Sequence, residues 1–333
     1  MTGGWALTIF IAGAALSYGL LLALRPVLKR HALAHPNARS SHSAPTPQSG
    51  GFAVIAATLI VVAGATIVSG GMASSLWLVL AAAVLIAALG AIDDVHSIAV
   101  LPRLFVQAAS VAIVVAALPD ALRIVPSLPL WLERALIGFA LLWFVNLVNF
   151  MDGIDWITVA EVVPVAGGLV LFGGMGTLPR DATVVALALG GAVVGFAPFN
   201  KPVARLFLGD VGSLPIGLLL GWLLVVLAGG GHLTVALLLP LYYLADATIT
   251  LLRRLASGEP ILQAHRTHFY QRAMDNGFSV SQIIGRVFLL NLALIALAAA
   301  TLMTASLLVH AAALVAGCVL VAALLYRFAS AKA

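Results

Sequence analysis

The chain has 333 residues, of which 62% are hydrophobic and only 9% charged, and its formal net charge is +5. Soluble domains carry about 25% charged residues, so the composition excludes an ordinary water-soluble fold and indicates an integral membrane protein. The basic excess suits anionic lipid headgroups, and no stretch interleaves basic and aromatic residues as a nucleic-acid partner would require.

Only helices or closed barrels span lipid. The apolar runs approach the ~20 residues of a spanning helix, not the alternating strands of ~10 residues that build a barrel. Eleven helices are predicted, at about 5–24, 51–69, 76–92, 103–118, 130–148, 157–175, 182–198, 212–229, 233–252, 282–305 and 308–326. Ser306 to His310 is a weak break, so ten is the alternative count. The expected fold is therefore all-α, a single polytopic membrane helix bundle. The first run lacks a basic leader and is followed, not preceded, by positive residues, unlike a secretory signal. Cys318 lies in an apolar run and implies neither a disulfide framework nor a zinc site.

Fourteen of the seventeen Lys and Arg residues fall on one side if the N-terminus is placed outside. The positive-inside rule makes that side cytoplasmic, giving a periplasmic N-terminus and a cytoplasmic C-terminus. The expected cytoplasmic loops are at about 25–50, 93–102, 149–156, 199–211 and 253–281. This split also collects Asp93, Asp94, Asn149, Asp152, Asp155, Asp210, His265 and His268 on the cytoplasmic face, although those residues played no part in drawing it.

Four polar islands interrupt the apolar sequence there. Asp93 and Asp94 are adjacent carboxylates at a helix end, and their repulsion calls for a cation. In NFMDGID (149–155), Asp152 and Asp155 are spaced to share a helix face, with Gly153 permitting close approach. In FNKPVARLFLGDVGS (199–213), Asp210 opens an apolar helix, where backbone N–H groups favour phosphate. HRTHFYQR (265–272) brings two histidines and flanking arginines. Taken singly, each has a plainer reading: solvated helix ends, an N-cap at Asp210, or an interfacial anchor in 265–272. A His pair without a third ligand pattern argues against zinc. Asp246 and Glu161 lie within or near apolar helices, where acids are functional by default or pair with a base. Convergence on one face favours chemistry. Carboxylates with basic groups and no Cys ligands suit a hard cation and phosphates, the requirements of phosphoryl transfer.

These motifs, in order along most of the chain, resemble the polyprenyl-phosphate N-acetylhexosamine-1-phosphate transferases, glycosyltransferase family 4. HPNARSSHSAPTPQSGG (35–51) is similar to that family's first cytoplasmic loop. Residues 93–94, 149–155 and 200–213 resemble its acidic motifs, and 265–272 the histidine loop of its O-antigen-initiating branch. The resemblance implies transfer of a HexNAc 1-phosphate, most simply GlcNAc 1-phosphate, from a UDP-sugar to undecaprenyl phosphate. It places the enzyme in the bacterial inner membrane, releasing UMP at the cytoplasmic face, with Mg²⁺ (or Mn²⁺ in its place) as cofactor and a homodimer compatible. By the same resemblance Asp210 and Asp93 are the metal candidates, and Asp93, Asp94 and Asp210 the catalytic set. Asn149, Asp152, Asp155, Asn200, Arg103, Gln107, His265, Arg266, His268, Arg39 and His42 are the substrate-binding candidates. A lipid phosphate is already ionised near neutrality, so positioning and charge neutralisation outweigh base catalysis, and single displacement without a covalent enzyme intermediate is expected.

The chain departs from the family pattern at Trp156, where many members have Gly, at Gln48, a common Arg, and at His35, a common Asp. It lacks the run of three histidines of the phospho-N-acetylmuramoyl-pentapeptide transferases, which makes that activity the alternative. A transporter with acidic gates would carry its acids near the midplane. A CDP-alcohol phosphotransferase would follow DG with AR and two further acids, which DGIDWITVAE lacks. A catalytically dead homologue would be expected to have lost motif aspartates, and all five are present.

Overall fold

The computed structural model describes residues 3–34, 46–68, 70–71, 73–260, 263 and 265–331. The elements run α1 (Gly3–His31), β1 (Leu33–Ala34), β2 (Thr46–Pro47), α2 (Gly51–Val68), α3 (Ser74–Val95), α4 (Val100–Ala116) and α5 (Leu130–Met151). They continue with α6 (Ile157–Gly174), α7 (Arg180–Asn200), α8 (Asp210–Leu227), a π-helical segment (Ala228–His232), α9 (Leu233–Leu238) and α10 (Leu241–Ala256). The chain ends with α11 (Phe269–Asp275), α12 (Val280–Leu302) and α13 (Leu307–Ala329). The protein is an all-α polytopic membrane bundle. Among the described residues nine helices are long and apolar enough to cross a bilayer, counting Asp210–Leu238 as one, and α4 is a shorter apolar helix of 17 residues.

One continuous cluster of buried apolar side chains reaches from Ile9 to Phe328. α7 and α8 lie at its centre. On α7, Gly191 and Gly195 face α1 so closely that a Cβ at either would stand 2.2 Å from a carbonyl oxygen of α1, Phe10 or Ala14. This is the small-residue spacing by which helices approach in lipid, where no hydrophobic drive brings them together.

Two boundaries differ from the sequence expectation. The basic stretch Arg25–Arg30, expected in a loop, continues α1 to His31, because cations in a last helical turn meet the negative end of the macrodipole. The expected break near residues 230–232 is instead the π-helical segment, with Gly231 at φ 89°, and a second interruption follows at Pro240, which has no N–H to give. Gly229 there packs on Leu122, Gly230 approaches the Thr177 carbonyl, and Thr234 bonds His310 at 3.0 Å. The chain thus reaches the end of the bundle opposite the acids at this point, and α9 with α10 returns it.

Candidate active site

The ends of α3 and α5 and the starts of α6 and α8 converge at the acidic end. α8 opens at Asp210 behind Gly209, which has φ 76° and no side chain to cap the helix. The cap comes from another helix. Asp94 Oδ1 accepts the Asp210 N–H at 2.8 Å, and Oδ2 accepts the Ser49 hydroxyl at 2.7 Å. A Cβ at residue 209 would stand 2.4 Å from Asp94 Oδ2, so the glycine serves both the backbone angle and the approach of the carboxylate. Gln48 donates to the Asp94 carbonyl, which ties the strand preceding α2 to the same corner. Asp93 accepts the Ile98 N–H at 2.6 Å and Arg103 at 3.1 Å, and the same Arg103 nitrogen lies 3.7 Å from Asp210 Oδ2.

Asn149, in the last turn of α5, donates to Asp210 Oδ1 at 2.7 Å and to the Ser213 hydroxyl at 2.9 Å. Asp152 ends α5 and accepts the Thr158 hydroxyl. Asp155 is 4% exposed and accepts the Ala204 N–H at 2.9 Å. Trp156 sits at φ 62°, its N–H on Asn200 Oδ1 at 2.8 Å and its indole N–H on the Ala197 carbonyl at 2.6 Å. Asn200 uses its other amide group on the Leu206 carbonyl at 3.0 Å, and so clamps the 199–213 loop to the α5–α6 corner. Gln107 is fully buried, accepts from Asn146 at 2.8 Å, and leaves its Nε2 without a partner among the described residues.

The histidine loop docks onto this corner through α11. Tyr270 donates to the Phe150 carbonyl at 3.0 Å, and a Cβ on Gly153 would meet its hydroxyl at 2.1 Å. His265 and His268 stack with ring centres 4.9 Å apart, and Arg266 pairs with Asp275 at 3.3 Å. Arg39 and His42 lie outside the described residues. Two further acids have roles that their sequence neighbourhood does not show, because their partners are distant along the chain. Asp246 is fully buried and accepts the N–H groups of Phe269 at 2.9 Å and Tyr270 at 3.1 Å. Glu161 accepts Asn291 of α12 at 2.7 Å.

Five aspartates therefore share one small volume with a single close arginine, Arg103, among the described residues. Burial, followed by the charges of Asp210, Asp94 and Asp155, pushes Asp152 up to about 8 despite the Thr158 hydrogen bond. Their oxygens are not equally available. Asp94 is occupied as a cap, Asp93 by Ile98 and Arg103, and Asp155 by Ala204. Asp210 Oδ2 and Asp152 Oδ2 accept no hydrogen bond from the described residues, and the Asp210 side chain is 27% exposed. No group of three or more His, Cys, Asp or Glu among the described residues is placed to hold a metal by itself. The two open carboxylate oxygens are the donor type that Mg²⁺ takes, usually one or two carboxylates completed by substrate phosphates and water.

Residues 76–228 match glycosyl transferase family 4. The chain is 29% identical to the decaprenyl-phosphate N-acetylglucosaminephosphotransferase of Mycolicibacterium smegmatis over 293 residues, 78% of this chain and 72% of that one. It is 26% identical to a probable undecaprenyl-phosphate N-acetylglucosaminyl 1-phosphate transferase of Bacillus subtilis, over 80% of each. A phospho-N-acetylmuramoyl-pentapeptide-transferase of Synechococcus is 32% identical, but over only 47% of this chain and 46% of that one.

Proposed function

The chain belongs to glycosyl transferase family 4, and on that premise we propose that it transfers N-acetylglucosamine 1-phosphate from UDP-GlcNAc to a polyprenyl phosphate. An oxygen of the lipid phosphate attacks the sugar-linked phosphorus of the donor. The bond from that phosphorus to the bridging oxygen breaks, and UMP leaves. One observation carries the reading: Asp210 and Asp152 each turn an uncommitted carboxylate oxygen into one polar corner, beside Arg103, at the end of an apolar bundle. Asp210 and Asp152 are the residues to hold Mg²⁺, which when bound neutralises the diphosphate and the developing charge. Asp93 orients Arg103 toward the phosphates, Asp94 fixes the start of α8, and Asn149 aims Asp210.

The acceptor side has support of its own. An apolar groove of about 550 Å³ runs between α4 and α5, from Ala108 past Val111, Ala112 and Gly138 to Ala116 and Arg134. It begins one residue beyond Gln107 and leads along the bundle away from the acids, a path suited to a polyprenyl chain whose phosphate stays at the polar corner. The distribution of Lys and Arg supports a cytoplasmic site in a bacterial inner membrane, with undecaprenyl phosphate as the acceptor. The test is UMP release by purified protein with undecaprenyl phosphate, Mg²⁺ and a panel of UDP-sugars. Release that needs lipid and metal, is best with UDP-GlcNAc, and is lost in Asp210→Asn is the expected result. Preference for the muramoyl-pentapeptide donor would favour the alternative activity, and no lipid-dependent release from folded protein would overturn the reading.

A further inference from the structure

Asp246 lies outside the acidic corner and has no part in the mechanism above. It is fully buried on α10, yet groups from two stretches of chain converge on its carboxylate. Phe269 N–H at 2.9 Å and Tyr270 N–H at 3.1 Å come from the first turn of α11, and Tyr242 and Thr250 hydroxyls at 3.2 and 3.4 Å from α10 itself. His268 Nδ1 stands 3.4 Å from Oδ1. That nitrogen finds no hydrogen-bond partner among the described residues, and His268 is only 4% exposed. A capping carboxylate alone accounts for the two N–H groups. It does not account for an imidazole buried against the same oxygen, stacked between His265 and Tyr270.

We propose that Asp246 is a positioning residue that acts through His268, keeping a proton on Nδ1 and leaving Nε2 as the nitrogen offered to the substrate. The physical reason is that a buried carboxylate oxygen accepts and does not donate. It therefore selects the Nδ1–H form of the ring and fixes the ring plane. The same carboxylate holds α11, whose Tyr270 hydroxyl reaches the Phe150 carbonyl at 3.0 Å beside Asp152. One buried charge thus sets the histidine loop relative to the acidic corner. The inference rests on the transferase reading for its kinetic part only.

The first measurement is ¹⁵N histidine NMR of the full chain in detergent. His268 is assigned by comparison with His268→Ala. A protonated Nδ1 is expected, and a bare Nδ1 with the proton on Nε2 overturns the proposal without need of any Asp246 variant. The second is a double-mutant cycle. Asp246→Asn should reduce kcat on the order of 100-fold, the scale of losing one preorganised polar contact to the reacting groups. In the His268→Ala background it should cost less than about threefold. An equal loss in both backgrounds would mean that Asp246 is merely structural. Absence of UMP release from the wild-type chain would instead sink the transferase reading, while the tautomer measurement would still decide the Asp246–His268 pair.

Discussion

At the scale of single residues the site separates carboxylates that build from carboxylates that remain open. Asp210→Asn and Asp152→Asn are each expected to lower lipid-dependent UMP release by about 10²–10³-fold, the range seen when one preorganised charged group is lost. Asp152 also gives a pH signature. Its folded value, about 8, lies above the ordinary carboxylate value, so the folded chain keeps a proton that the unfolded chain sheds near pH 4. Stability therefore declines as pH rises from about 4 to 8, and Mg²⁺ should raise the thermal midpoint more above pH 8 than below it. Asp152→Asn should flatten that difference in thermal unfolding measured with and without Mg²⁺. Trp156 makes a separate case. Its φ of 62° is a glycine-like angle, and a left-handed residue with a side chain costs ~1–2 kcal/mol. Trp156→Gly relieves that strain while losing the indole bond, worth ~1 kcal/mol. Trp156→Ala loses the ring with no relief, so it should melt several degrees below Trp156→Gly.

At the scale of elements, two helix starts that carry site residues are capped by an acid from another helix: α8 by Asp94 and α11 by Asp246. α8 has no local capping side chain, which is why no capping pattern next to Asp210 announced it, whereas α11 adds its own Gln271, which accepts the His268 N–H at 3.4 Å. The contact between α11 and the α5–α6 corner depends on Gly153. Gly153→Ala is expected to displace α11 and reduce turnover by at least about tenfold. Tyr270→Phe alone should cost roughly 1 kcal/mol through its lost hydrogen bond. Because the clashing atom is the hydroxyl, the double substitution should recover part of the activity lost in Gly153→Ala. Turnover in the double variant no better than in Gly153→Ala would show that the loop is not held at this contact.

At the scale of the whole molecule, the acids gather at one end and the turns at Leu122, Thr177, Gly231 and His310 at the other. The distribution of Lys and Arg predicts that the acidic end faces the cytoplasm. Asp120→Cys should react with a membrane-impermeant maleimide on intact cells, and Gly258→Cys only after lysis, with native Cys318 replaced in both. The reverse pattern would invert the topology.

What the sequence determined by itself follows from local physics. Long uncharged runs fix spanning helices because lipid offers the backbone no partners. Asp93, Asp94, Asp152, Asp155 and Asp210 stood out because charge is rare in such a chain, and Asn149 because it adjoins them. The tertiary structure decided what spacing along the chain cannot express. Asp94 and Asp246 are caps, Asn200 is a clamp, and Asp210 and Asp152 keep open oxygens. The two caps, the clamp and the aim of Asp210 each depend on a hydrogen bond between groups far apart in sequence, and such a partner exists only once the helices have packed.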